Sequence, residues 1–130
     1  MARPKNSERD PNYNEAEARR IARRKWEQNN PEKWEKQKRN LRFKRRYGIT
    51  LDTYNTMLEE QKGVCKICGN PPTGIHSSGA PHRLHVDHDH KTGKVRALLC
   101  QHCNRGLGYF KDNSDLLIKA SEYLDGYRKL

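Results

Sequence analysis

The sequence predicts an α+β protein: a small core of two strands and a short helix, stapled by four cysteines and preceded by a basic helical arm. Three observations point there. Apolar residues are 32% of the 130-residue chain and charged residues 33%, too little core material to hold a domain of this length by packing alone. Two C-x2-C pairs, Cys65/Cys68 and Cys100/Cys103, enclose two short runs of strand character. The charge is also lopsided. Residues 1–47 hold 16 Lys/Arg against 7 Asp/Glu, and residues 48–130 hold 11 against 9. The chain therefore divides into a basic arm over 1–47 and a nearly neutral body over 48–130.

Residues 1–12 carry Pro4, Pro11 and mixed charges without periodicity, and are expected to be mobile. Residues 13–29 are rich in helix formers. Asn30-Pro31-Glu32 reads as an N-cap, a Pro at the first helical position and an acidic first turn. That second helix should run to about Tyr47, with Gly48 just past its end. The apolar positions of the arm are scattered at Ile21, Trp26, Trp34, Leu41 and Phe43, too thin a stripe for an independent bundle. The two Trp are expected to be packing anchors. A third helix is capped by Thr50, with Ile49 and Tyr54 at hydrophobic-staple spacing, Leu51, Tyr54 and Leu58 on one face, and Gly63 closing it. Residues 69–82 form a turn-rich loop. Leu84–His88 and Val95–Leu99 read as strands joined by a turn containing Lys91-Thr92-Gly93. A short helix should start near Asn104. A last one, capped by Asn113 or Ser114, should turn Leu116, Leu117, Ala120, Tyr123 and Leu124 inward.

The formal net charge of +11, concentrated in the arm, points to a polyanionic partner, above all nucleic acid. The arm is expected to contact DNA and to order fully on binding. No apolar stretch approaches the ~18 residues of a membrane span, and the N-terminus lacks the apolar segment of a signal peptide. The chain reads as cytoplasmic, where paired cysteines bind metal rather than each other.

Each C-x2-C pair puts two thiolates on one tight turn. Two such turns brought together give a tetrahedral sulfur site suited to Zn2+. With Cys65, Cys68, Cys100 and Cys103 all bound, such a zinc has no open position and is structural. Two redox motifs would instead call for a thioredoxin-like βαβ setting, which the sequence lacks.

Asp87, His88, Asp89, His90 and Asn104 remain. They could be a polar turn, a second zinc site, or the apparatus of phosphodiester cleavage. Cleavage needs a base to deprotonate water and a hard cation to offset charge at the phosphate. Mg2+ takes oxygen ligands and keeps several waters, so Asp87 and Asn104 would suffice to hold it, with His88 as the base. Adjacent strand residues face opposite ways, so Asp87 and His88 can serve one phosphate only if the strand ends or bends there.

The segment DHDHKTGKVRALLCQHCN closely resembles the recombination endonuclease VII group of HNH (His-Me finger) nucleases, and YGITLDTYNTMLEEQKGVCKICG is similar to that family's lead-in helix and first zinc pair. The match covers about residues 47–110. The resemblance implies a ββα-metal fold on a zinc scaffold, His88 as general base, and Asp87 and Asn104 as ligands of a catalytic Mg2+ or Mn2+. It also implies a place close to the site for His90. Val95 stands where the broader HNH pattern has its middle Asn, and Asn104 stands in place of its final His, both as in the endonuclease VII branch. The expected function is therefore a metal-dependent DNA endonuclease acting on double-stranded or branched DNA. Cutting both strands with one centre calls for two nicks or a homodimer. The alternative is a non-catalytic zinc-ribbon module that binds nucleic acid.

Overall fold

The computed structural model describes residues 14–128, so the expected mobility of residues 1–12 lies outside the described residues. The elements run α1 (Glu15–Asn29), α2 (Pro31–Tyr47), α3 (Leu51–Glu60), β1 (His85–His88), β2 (Val95–Leu99), α4 (Gln101–Tyr109) and α5 (Ser114–Arg128). Contacts divide the chain into two units between Arg42 and Phe43, a point inside α2.

The first unit has no buried residue in its helices. Asn14 caps α1, its Oδ1 accepting from the Ala16 and Glu17 N–H groups at 3.1 and 3.2 Å. The α1 surface is laced by exposed pairs such as Arg19–Glu15 and Arg23–Glu27, each worth only a few tenths of a kcal/mol. Trp34 is the main internal anchor: Arg23 and Lys38 sit over its ring at 5.2 and 5.5 Å. Trp26 stays 40% exposed. Only one of the two Trp therefore packs as expected, because so thin an apolar stripe has nothing further to pack against.

The second unit is built outward from a two-stranded antiparallel sheet. Thr50 caps α3 by accepting from the Thr53 N–H at 3.1 Å. Leu51 and Tyr54 are buried, and Ile49 and Leu58 pack against the same core. Phe43 stacks on Tyr54 at 5.0 Å, and the Tyr54 hydroxyl donates to the Leu84 carbonyl at 2.9 Å, tying α3 to the approach to β1. Leu98 and Leu99 are 0% and 2% exposed. Neighbours in a strand face opposite ways, so both faces of β2 are covered at that end.

The outer edge of β2 is closed by a side chain. Gln61 donates from Nε2 to the Leu98 carbonyl at 2.8 Å, while its Oε1 accepts from the Leu98 N–H at 2.9 Å. It stands in for a third strand, and leaves no edge amide of Leu98 unmet. The turn between the strands is held by Asp89, whose Oδ1 accepts from the Lys91 and Thr92 N–H groups, both at 2.8 Å. Gly93 completes it at φ +72°, a left-handed conformation that a side chain disfavours.

Two expectations need correction. The helix expected near Asn104 begins at Gln101, because the Cys100 sulfur caps it by accepting from the Cys103 N–H at 3.5 Å. The second cysteine pair is thus the cap and first turn of α4. The inward face expected on α5 is also largely absent. Leu117 and Ala120 are half-buried, but Leu116, Tyr123 and Leu124 are 41%, 65% and 58% exposed. The core is already filled by α3, the sheet and the cysteine turns, which leaves α5 little to pack on. Among the described residues, no helix is long and apolar enough to cross a membrane.

Candidate functional site

Cys65 is buried just beyond α3, Cys68 is exposed on the same turn, Cys100 is buried at the end of β2, and Cys103 is half-buried in α4. Their four Sγ atoms lie within 4.8 Å of one another, and Cys68 and Cys100 are 3.8 Å apart. A tetrahedral zinc with Zn–S bonds of about 2.3 Å has sulfur–sulfur edges of about 3.8 Å, so donor set and spacing fit that ion. Burial opposes ionisation of Cys65, but N–H groups of Cys100, Cys68 and Ile67 together outweigh it and bring its pKa to about 6. Burial, then hydrogen bonds to Cys100, Cys65 and Cys68, push Cys103 up to about 12. Crowding of the four sulfurs thus favours one thiolate and opposes another. The turn around the first pair is shaped by Gly69, at φ +70°, whose N–H donates to the Cys65 carbonyl at 2.9 Å.

Asp87 lies in β1 and is the one buried charged residue among those described. Its partner is Arg96 of β2: Nε donates to Oδ2 at 2.7 Å and Nη2 to Oδ1 at 2.9 Å. The same Nη2 reaches both oxygens of Asp112, at 3.2 Å each, in the turn between α4 and α5. The Asp87 hydrogen bond, with that of Asp112 behind it, holds the guanidinium charged even more firmly than usual. This network follows from an irregularity in the sheet. Val86 pairs with Leu98, but His88 pairs with Val95, so Arg96 and Ala97 together face Asp87. A strand bends where two residues oppose one, and β1 ends at His88.

His88 is half-buried at that end. Its ring makes a T-shaped contact with Tyr47, centroids 5.4 Å apart, and its centroid lies 4.8 Å from that of His90. His90 itself is exposed on the turn. Asn104 sits half-buried on α4 and donates its backbone N–H to the Cys100 carbonyl at 3.0 Å. No hydrogen bond or ring contact joins it to Asp87 or His88 among the described residues. The structure thus brings together His88 with His90, and it places Asp87 next along the same strand.

Sequence reasoning missed Tyr47, Arg96 and Asp112. Tyr47 was readable only as the end of a helix. The other two belong to the network because of a register that no local pattern specifies. His85 was also left without a place. It is half-buried, and burial first, then the charges of His82, His76, Arg105 and Arg46, keep its pKa below the ordinary histidine value.

A family model for recombination endonuclease VII matches residues 40–126. The chain is also similar to the Gene 59 proteins of Mycobacterium phage D29 and Mycobacterium phage L5, at 46% and 47% identity over 79 residues. Each alignment covers 60% of this chain and 44% of the relative, so the chain spans less than half the length of these curated relatives. No solved structure gives a significant match.

Proposed function

Because the chain belongs to the recombination endonuclease VII family, we propose that it is a metal-dependent DNA endonuclease of the HNH (His-Me finger) type, with His88 as general base. The observation that carries this reading is the pairing of a buried carboxylate, Asp87, with a half-buried imidazole, His88, at the bent end of one strand.

The chemistry follows from those groups. His88 takes a proton from the attacking water on a ring nitrogen, and Tyr47 and His90 limit the orientations that ring can adopt. A neutral imidazole, with one ring nitrogen free to accept a proton, is suited to that role. The Asp87 carboxylate and the Asn104 amide would hold Mg2+ or Mn2+, hard cations that prefer oxygen donors. Arg96 uses one site on each Asp87 oxygen, and a carboxylate has about four in all, so oxygen donors remain. When bound, the divalent ion offsets charge at the phosphate and the leaving oxygen. Zinc in the four-Cys site would keep β2, α4 and the turn after α3 in place, and take no part in the reaction.

The substrate in this reading is double-stranded or branched DNA, the arm up to Tyr47 supplies part of the electrostatic attraction, and a homodimer would let both strands be cut. The test is nicking of supercoiled plasmid with Mg2+. Wild-type protein should nick it, and His88→Ala should lose about 10²- to 10⁴-fold in rate with zinc content and circular dichroism unchanged. Cleavage at the wild-type rate by that variant would remove His88 from the mechanism. Salt-sensitive binding without cleavage at any divalent ion would leave a zinc-ribbon binding module instead.

A further inference from the structure

One cleft of the second unit borders the proposed centre, and its Lys91 and Lys111 take no part in the chemistry above. It has a volume of about 610 Å³ and lies between the β1–β2 turn, contributing His90 and Lys91, and the α4–α5 turn, contributing Lys111 and Asp112, with Arg96 of β2 also lining it. We propose that this cleft is a subsite for a second, non-scissile phosphate of the DNA strand, bound by Lys91 and Lys111 with Arg96 between them and the Asp87 site. The proposal rests on the endonuclease reading for its position beside the cut.

Three features support it. First, the basic groups of the cleft are differently occupied. Arg96 is committed to Asp87 and Asp112, whereas Lys91 and Lys111 are exposed and carry no ion pair among the described residues. An ammonium with no internal partner is free to meet a phosphate as a point charge. The acids of the cleft are meanwhile occupied. Asp89 accepts from its own turn, and Asp112 faces Arg96. Second, the rim is held in an uncommon backbone state. Lys111 and Asp112 sit at φ +56° and +54°, each a strained conformation for a residue with a side chain. Hydrogen bonds from the Lys111 N–H to Gly108 and from the Asp112 N–H to Leu107, both 2.9 Å, fix it. The turn therefore presents Lys111 from a fixed backbone, which lowers the entropy lost on binding.

Third, the cleft and the proposed centre share an atom. Arg96 Nη2 touches Oδ1 of Asp87 at 2.9 Å and the Asp112 carboxylate at 3.2 Å. A strand whose scissile phosphate lies at Asp87 and His88 would therefore bring a neighbouring phosphate to this rim. His90, the exposed ring 4.8 Å from His88, stands between the two places and lines the cleft.

The test compares Lys91→Met/Lys111→Met with wild type and with Lys119→Met, an exposed lysine on α5 away from the cleft. Binding to a DNA duplex is measured without added divalent ion from 50 to 200 mM salt. Each phosphate contact contributes about 0.9 to the slope of log affinity against log salt. The double variant should lose about one to two units of slope and bind roughly three- to tenfold more weakly at the higher salt, while Lys119→Met tracks wild type and all three keep zinc and melting temperature. A second readout is ethylation interference in Mg2+, read from each nick. Wild type should exclude an ethylated phosphate at one fixed offset from the cut, and the double variant should tolerate it. An unchanged slope, an equal loss in Lys119→Met, or an unchanged interference pattern overturns the subsite. Wild-type protein that shows the slope but cuts nothing refutes the endonuclease reading and leaves the binding result standing.

Discussion

Both carboxylate oxygens of Asp87 are held by the single guanidinium of Arg96, at 2.7 and 2.9 Å. Asp87 is only 7% exposed, so an unpaired charge there would be costly. Removing one partner of a fully buried pair costs about 3–5 kcal/mol. The Arg96 side chain is 37% exposed, so water can partly replace it, and Arg96→Met should cost nearer 2 kcal/mol. If Asp87 also holds a divalent ion, saturating Mg2+ supplies the missing positive charge and the deficit should shrink. Urea melts with and without Mg2+ check this, and a deficit indifferent to Mg2+ would count against Asp87 as a ligand.

The Tyr54 hydroxyl reaches the Leu84 carbonyl across 30 residues of sequence. Both groups are buried, and the acceptor stands immediately before β1. Tyr54→Phe keeps the ring that stacks on Phe43 but leaves that carbonyl short of a donor, so it should destabilise the second unit by about 1–2 kcal/mol. Denaturant melts measure the loss. A change below a few tenths would mean that water serves the carbonyl equally well.

Metal removal should act on the whole second unit. Its most buried residues include Cys65, Leu98 and Leu99, so the sulfur site and the apolar core are one region. Structural zinc sites contribute on the order of 10 kcal/mol, more than a domain of this size has to spare. A strong chelator, or Cys65→Ser, should abolish the cooperative melt and the near-ultraviolet dichroism. The metal is counted by atomic absorption at one zinc per chain. Persistence of a sharp transition in metal-free protein would show that packing alone suffices.

What the sequence made legible is what local chemistry decides. Thr50 caps α3 and Pro31 opens α2 because each signal lies within a few residues of its effect. Each cysteine pair marks itself as a metal-binding turn by its own two-residue spacing, although 31 residues lie between the pairs. The Asp87–Arg96 pair was not legible. Its partners are nine residues apart on a hairpin, and a simple alternation would not set Arg96 opposite Asp87 without the shift in register between Val86 and His88. The outward face of α5 was misread for a different reason. Periodicity shows that a helix has an apolar stripe, but not whether a small core has surface left to cover it.

The boundary between the two units yields a sharper prediction about the arm. Residues 1–42 hold 13 Lys/Arg and 7 Asp/Glu, and their removal should lower DNA affinity steeply at moderate salt, since counterion release scales with the phosphates neutralised. A cut after residue 46 would do more. It would also take Phe43, whose ring stacks on Tyr54 at 5.0 Å, and aromatic pairs add about 0.5–1.5 kcal/mol beyond the area they bury. The chain lacking residues 1–42 should therefore keep its zinc and its melting temperature while losing affinity. The chain lacking residues 1–46 should also melt several degrees lower. Affinity is measured by fluorescence anisotropy at 0.15 M salt, and melting by calorimetry. Equal affinity in the shorter deletion and the intact chain would exclude the arm from DNA binding, whatever the second deletion does to stability.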